Sequence, residues 1–386
     1  MRPITLVLAA LGVVSLVVAV ALGLADRVGF FRAYLTAYVI WLGLGLGCTG
    51  VLMVQFLTGG AWGLAIRRIL EAGAGTLPLL AVLFVPLLLG LPQLYSWARP
   101  DAVAADATLQ HRAIYQNLPF FLARCVVYFA SWILVSHLLR RWSLTQDRAA
   151  DPLLVLRRLQ RLSIIGGVVL GLTVSFAVID WLMALETDWF STVYPGAVGM
   201  SMLLGALAFA IVCLVVLARS GPLDGLLTSQ VANDLGSLLL AFLMLWAYVS
   251  FFQYLLVWAG NLSDEIPWYL RRTSGGWLPV AVTVAVVGFL LPFWLLLFRP
   301  LKRNRRWLAW VAGLILAMRV IEVYWLVAPP FVGEGGPAVG VVDVLAVVGL
   351  GGLWLALFGW LLGRRPLLPV NDARLVALSE AVHAEA

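Results

Sequence analysis

Ten long apolar runs dominate this sequence of 386 residues and limit the folds that are open to it. A helix of about 20 apolar residues crosses the ~30 Å hydrocarbon core of a bilayer. Charged residues make up 12% of the chain, about half the share found in soluble domains, which is too few for a water-facing surface. The sequence therefore predicts an all-α integral membrane protein with about ten transmembrane helices. The runs lie at about 4–24, 35–57, 76–95, 115–139, 162–185, 196–218, 233–259, 277–298, 307–328 and 340–362.

The segments between these runs are too short to fold on their own. The longest have roughly 20 residues, which cannot bury a separate core, so residues 1–386 are expected to form a single polytopic membrane domain. One connecting segment, 62–72, is amphipathic and carries Arg67 and Arg68. We expect this segment to lie along the membrane interface before the third span.

Positive charges are unevenly divided between the two sides of the predicted bundle. If each loop is numbered by the predicted span before it, the even-numbered loops, the N-terminus and the C-terminal tail hold 18 of the 26 lysines and arginines. The odd-numbered loops hold six. Cytoplasmic loops of membrane proteins carry such an excess of Lys and Arg. The net charge of +7 is thus interpreted as a topology signal rather than a nucleic-acid site, and both termini are predicted to be cytoplasmic.

Cysteine and histidine are too few and too scattered to hold a redox centre. No CxxC, CxxCH or four-cysteine set occurs, which argues against an iron–sulfur cluster or a c-type haem. Only His137 lies in a likely span, so a bis-histidine haem is also unsupported. If the protein takes part in electron transfer, its partners must hold the metal centres. The residues concerned are Cys48, Cys125, Cys213, His111, His137 and His383.

Charged residues inside the spans are the strongest functional signal, because each costs at least ~2.5–3.5 kcal/mol to insert. Arg319 and Glu322 share one face of helix nine, either as a neutralising ion pair or as a functional pair. Asp180 has no opposite charge within one turn of its own helix. It must therefore pair with another helix, through Arg124 or Arg319, or take up a proton, which predicts a proton relay. These four charges and Asp343 all fall in the outer half of the predicted membrane.

Two further titratable residues lie toward the cytoplasmic side. His137 stands alone near the inner end of helix four, either hydrogen-bonded to a carbonyl or titrating near neutral pH. Asp234 follows Asn233 at the predicted start of helix seven. It is interpreted either as part of a helix cap or as a proton acceptor at the cytoplasmic mouth.

Helices four to eight carry specific motifs. They read HRAIYQNLPFFLAR at 111–124, DWLMALE at 180–186, NDLG at 233–236 and WAGNLSDEIPWYLRR at 258–272. Together these motifs resemble the ActF subunits of Alternative Complex III, which belong to the NrfD/PsrC-like membrane proteins.

The resemblance implies two four-helix bundles, helices two to five at 35–185 and helices six to nine at 196–328, with peripheral segments at 1–34 and 340–386. It also implies a subunit of a respiratory or photosynthetic quinol-oxidising complex in a bacterial inner membrane. The implied partners are an ActC-like membrane subunit, an iron–sulfur subunit, multihaem cytochrome c subunits and a terminal oxidase. Iron–sulfur clusters and haem c would lie in those partners, and a quinone-binding surface on this chain remains open.

The residues themselves favour proton conduction over redox chemistry, since the chain holds no electron acceptor for quinol. Our hypothesis is a half-channel lined on the outer side by Asp180, Arg124, Arg319 and Glu322 and served on the cytoplasmic side by His137 and Asp234. A free-standing secondary transporter with an Asp/Arg/Glu coupling site is the alternative. The absence of matched broken helices in the two halves disfavours it.

Overall fold

The structure, a computed structural model, describes residues 2–220, 223, 225–368 and 371. Ten helices within these ranges are long and apolar enough to cross a membrane, and no strand occurs among them. The predicted all-α integral membrane protein is thereby confirmed. The spans are α1 (Arg2–Gly23), α2 (Arg27–Thr58), α3 (Ala61–Leu89), α4 (Leu118–Gln146), α5 (Pro152–Leu185), α6 (Tyr194–Leu217), α7 (Ser229–Gly260), α8 (Gly275–Leu297), α9 (Arg305–Val327) and α10 (Val341–Leu362).

Several helices extend beyond the apolar runs that predict them. The start of α5 lies at Pro152 because the Asp151 carboxylate accepts hydrogen bonds from two backbone N–H groups of the first turn, at 3.0 and 3.1 Å. Such caps satisfy the free donors of a helix N-terminus. Polar residues that follow a cap therefore belong to the helix, although they lie outside its apolar run.

The first half of α3 corrects the prediction of an interfacial helix at 62–72. Helix Ala61–Ala74 is buried inside the protein, and Arg67 and Arg68 have only 0% and 3% of their surface exposed. After a turn at Gly75 and Thr76 the chain continues as helix Leu77–Leu89. The segment resembles an interfacial helix because its charges form one face. That face is covered by α4 and not by water.

The helices pack in two groups that meet through α2 and α6. In the first group α2 contacts α3 and α5, and α4 contacts α3 and α5. In the second group α6 contacts α7 and α9, and α8 contacts the same two helices. At the α2–α6 crossing, a Cβ on Gly47 would lie 2.1 Å from the Met202 carbonyl oxygen, so only glycine permits this approach.

Helices α1 and α10 form a pair beside the two groups. They contact each other closely at Gly12, where an added Cβ would lie 2.8 Å from the backbone nitrogen of Leu353. In the most apolar stretch of each helix, 17% of the residues of α1 are buried inside the protein, against 83% of those of α2. Helix α2 is therefore the centre of the fold, and α1 lies at its edge.

The connections divide the molecule into two ends. At one end of the molecule α1 begins, α10 ends, and α4 is joined to α5. We call this end the terminus end. The opposite end carries the longer connections, which contain short helices. The short helices at this opposite end are Leu91–Leu94, Ser96–Ala98, Pro100–Ala105, Ala107–Arg112, Ile266–Thr273, Pro329–Val332 and Gly333–Gly335. Two more short helices, Ala218–Ser220 and Arg299–Arg303, lie at the terminus end.

Candidate functional site

Asp180 and Arg124 form a bidentate ion pair between α5 and α4. The Asp180 carboxylate accepts hydrogen bonds from Arg124 Nε at 2.8 Å and Arg124 Nη2 at 2.9 Å. Tyr128, one turn after Arg124, donates a third at 2.8 Å. Of the two alternatives predicted for Asp180, pairing with a residue of another helix is confirmed, and that residue is Arg124. Loss of one member would leave a buried charge uncompensated.

The start of α4 fixes the position of this arginine. Asn117 caps the helix by accepting a hydrogen bond from Phe120 N at 3.0 Å. The Arg124 guanidinium then lies 3.8 Å from the centre of the Tyr115 ring and donates to the Tyr115 carbonyl at 2.9 Å. Tyr115 precedes the span, and burial raises the pKa of its phenol to about 12. The motif at 111–124 therefore supplies both the cap and the aromatic support for the ion pair.

Glu322 is the centre of a second buried cluster, between α9, α6 and α7. Its carboxylate accepts hydrogen bonds from Arg319 Nη1 and from the Trp246 indole N–H, both at 2.7 Å. The Ser201 hydroxyl donates a further short hydrogen bond. The Arg319 guanidinium stacks 3.9 Å from the Trp246 ring centre, which is a favourable cation–π arrangement. The predicted i,i+3 pair on α9 is thus confirmed.

A cavity of about 570 Å³ opens beside Glu322. Its walls come from α6, α7, α8, α9 and the short helix Ile266–Thr273, and they are mostly aromatic or aliphatic. The polar residues of this lining include Glu322 and Gln253. The amide nitrogen of Gln253 is buried without a hydrogen-bond partner. Tyr248 and Phe251 at the rim are 64% and 62% exposed, so the cavity opens sideways toward the bilayer.

The four predicted outer charges are divided between two clusters rather than gathered in one. Within the described residues, no hydrogen bond or ion pair joins the Asp180 pair to the Glu322 pair. Asp343, the fifth predicted charge, accepts two hydrogen bonds from Arg32 at 2.9 and 2.7 Å. Arg32 lies before the second predicted apolar run, at 35–57. Its burial in α2 provides the partner that Asp343 needs.

The two residues predicted for the cytoplasmic side lie apart from these clusters. His137 is exposed and lines a cleft at the terminus end with Arg140 and Arg141. Asp234 lies inside α7 and accepts a hydrogen bond from Gln230 at 2.9 Å. Its interpretation as a helix cap is wrong, because α7 begins at Ser229 and Thr228 is the cap. The apolar run starts later than the helix because the first turns of α7 are polar.

A third buried cluster, which the sequence prediction missed, lies toward the terminus end. Arg67 Nε and Arg68 Nη1 lie 3.3 and 2.8 Å from the two carboxylate oxygens of Glu71. The end of α4 completes the cluster, because Ser143 bonds to Glu71 and Gln146 accepts from Arg67 at 2.6 Å. The sequence signal for this cluster was the spacing of Arg67 and Arg68 four and three residues before Glu71, which places the three side chains on one helix face.

The opposite end is fastened by an ion-pair network between two of the quoted motifs. Glu186 binds Arg271 Nη1 at 2.7 Å and Arg272 Nη1 at 2.6 Å. Arg272 is buried over the Trp268 ring at 3.8 Å and donates to the Leu326 carbonyl. Burial lowers the pKa of Arg272, and Glu186 opposes that shift. The motifs at 180–186 and 258–272 therefore act together to hold the wall of the Glu322 cavity.

No group of three or more His, Cys, Asp or Glu side chains within the described ranges is arranged to hold a metal ion. In comparisons with known proteins, no family model matches the chain and no curated protein matches it.

Proposed function

We propose that this chain is a membrane subunit of a quinol-oxidising assembly of the Alternative Complex III type, with a quinol head-group site at Glu322. The observation that carries the proposal is the sideways-open aromatic cavity that has Glu322 and Gln253 in its lining. Quinol reaches its protein through the bilayer, so a site for it must open laterally. Apolar walls with a few oriented polar groups are typical of small-molecule sites.

The lining suits each part of a quinol. Phe251 and Phe289 line the cavity and can contact an aromatic ring. The unpartnered amide nitrogen of Gln253 can donate to a ring oxygen. The Glu322 carboxylate can accept a proton from a ring hydroxyl, while an isoprenoid tail leaves past Tyr248 and Phe251. Oxidation of a quinol releases two electrons and two protons, and the electrons would pass to iron–sulfur and haem c groups of partner subunits.

The proton-conducting role is part of the same proposal. Glu322 would take the proton at the cavity, and the Asp180–Arg124 pair would form a second exchange point in the neighbouring helix group. Protonation of Asp180 would weaken its ion pair with Arg124, because the carboxylate that accepts these three hydrogen bonds would lose its charge. His137 and Asp234 would serve the terminus end, which the charge distribution assigns to the cytoplasm.

A first experiment tests membership of the assembly. The chain is purified in mild detergent through a tag at its C-terminus, and a reduced-minus-oxidised spectrum is recorded. We expect a c-type haem signal that co-elutes in fixed stoichiometry, because partner subunits would supply it. A colourless, monodisperse protein would contradict the proposal and favour the secondary transporter.

A second experiment tests the head-group site itself. We expect Glu322→Gln to weaken binding of a short-chain benzoquinol by roughly tenfold or more, because a buried charge-assisted hydrogen bond is lost. Binding is measured by quenching of tryptophan fluorescence in the purified protein. The matched control is Glu265→Gln, since Glu265 lies outside the cavity lining. Equal affinities in the two variants would overturn the assignment of Glu322.

A further inference from the structure

A second cavity, which we call the basic cleft, lies at the terminus end. It has a volume of about 900 Å³ and is formed by the end of α4, the following loop and the residues after α10. Most of its polar lining is cationic, and Asp147 is its one acidic lining residue among those described. The cationic residues are Arg140, Arg141, Arg148, Arg364 and Arg365, and His137 lies beside them.

The positive charge of the basic cleft is not neutralised by nearby carboxylates. Asp147 is already bound by Arg68. Glu71 lies 3.7 Å from Arg365, yet it holds Arg68 more closely, at 2.8 Å. The Nε of Arg140 is buried without a hydrogen-bond partner. Several arginines therefore face one another across the cleft, and an anion between them would relieve their repulsion.

Burial affects one of these arginines directly. Arg365 follows α10, and its loss of solvent lowers the pKa of its guanidinium, a shift that Glu71 opposes. A bound anion would compensate this loss of solvation. Because guanidinium groups bind phosphate oxygens in pairs, phosphate is the anion that such a set of arginines fits best.

An apolar track on α4 leads into the basic cleft. Val127 and Leu134 are 59% and 57% exposed, and at a spacing of seven residues they continue to Arg141 on the same helix face. Arg364 stacks 3.9 Å from the ring centre of Trp360, a partly exposed residue near the end of α10. Tryptophan at this level is typical of the membrane–water interface.

We propose that the basic cleft binds the phosphate head group of an anionic phospholipid whose acyl chain lies along the exposed face of α4. Charge complementarity selects an anion, and continuity with the apolar track selects a lipid over a free phosphate. Basic pockets at helix ends bind anionic lipids in this way. The proposal is independent of the quinol site, which lies in the other group of helices.

The test measures lipid retention by the full chain. The protein is purified in detergent with equal amounts of phosphatidylglycerol and phosphatidylcholine, and bound lipid is measured by native mass spectrometry. We expect a clear preference for phosphatidylglycerol. The double variant R141Q/R364Q should reduce that preference roughly tenfold, because each arginine near an anionic lipid contributes to binding. Both side chains are exposed, so the fold should be kept.

The matched control is R157Q/R158Q, which removes the same charge from exposed positions of α5 outside the cleft. This variant should retain the preference for phosphatidylglycerol. An equal loss in both variants would overturn the proposal in favour of general surface charge. A competition series with inorganic phosphate should leave the lipid in place. Displacement by millimolar phosphate would show a free-anion site and would also overturn the proposal.

Discussion

Among the described residues, the buried carboxylates of Asp180 and Glu322 are each paired with an arginine, and the partners determine what each residue can do. Asp180 is bound by Arg124 and Tyr128, and Glu322 by Arg319, Trp246 and Ser201. A buried pair gains little net stability over an apolar pair, whereas a broken pair is costly. Protonation of either carboxylate therefore weakens its ion pair with the arginine, which couples proton binding to the stability of the local structure.

Asp180→Asn tests this coupling. If the proposed function holds, we expect the variant to oxidise quinol nearly as the wild-type protein in its proposed assembly does, with proton release across the membrane reduced to near background. The physical reason is that an amide cannot carry the proton. The measurement uses the assembly in proteoliposomes with a pH-indicator dye. Asp188→Asn is the control, because Asp188 is exposed in the following loop.

Stability must be separated from proton transfer in this experiment. Asp180→Asn alone leaves Arg124 buried without its counter-charge, which should lower the free energy of unfolding by about 3 kcal/mol. The double variant Arg124→Gln with Asp180→Asn removes both charges and should recover most of that loss. Loss of quinol oxidation in a stable, assembled variant would contradict the proton role and favour a quinone site at Asp180.

At the scale of helices, close crossings fix the arrangement. Helix α2 meets α6 at Gly47, where the Met202 carbonyl leaves no room for a Cβ, whereas Gly171 on α5 has open space around it. Both positions lie in glycine-rich spans and are similar in sequence. Only the tertiary structure distinguishes the glycine that packs from the one that does not.

Gly47→Ala should lower the free energy of unfolding by about 2 kcal/mol, because the added methyl group forces the two helices apart. Gly171→Ala, the matched control, should change it by less than about 1 kcal/mol. Thermal unfolding in detergent measures both variants. Equal melting temperatures for the two would show that the α2–α6 crossing is not as close as described.

At the scale of the whole molecule, the charge distribution predicts that the terminus end faces the cytoplasm. A cysteine at an exposed position reports its side of the membrane, because the native Cys48 and Cys125 are buried and Cys213 is half-buried. In intact cells, a membrane-impermeant maleimide should label Asp101→Cys at the opposite end. It should leave Arg148→Cys unlabelled.

Permeabilised cells provide the control, since both cysteines should then react. The reverse pattern in intact cells would place the basic arginine-rich end outside. That outcome would contradict the positive-inside prediction, and it would also exchange the assigned entry and exit sides of the proposed proton route.

The ten spans follow from hydropathy alone, because a bilayer requires a continuous apolar helix of fixed length. The same reasoning located Asp180, Arg124, Arg319 and Glu322 as buried charges. It did not extend to Arg67, Arg68 and Glu71, because a helix with a charged face has the same pattern on a membrane surface as inside a protein. The start of α7 was missed for a related reason, since its first turns are polar.

Hydropathy along the chain predicted the number of membrane-spanning helices and located the charges inside them that need a partner or a proton. The tertiary structure alone decided the pairs: Asp180 with Arg124, Asp343 with Arg32, and Glu322 with Trp246 beside the lateral cavity. Hydropathy is a property of each segment in a common solvent, so it can be read locally. A partner on another helix depends on how helices far apart in the chain cross and rotate, and that is fixed only when they pack.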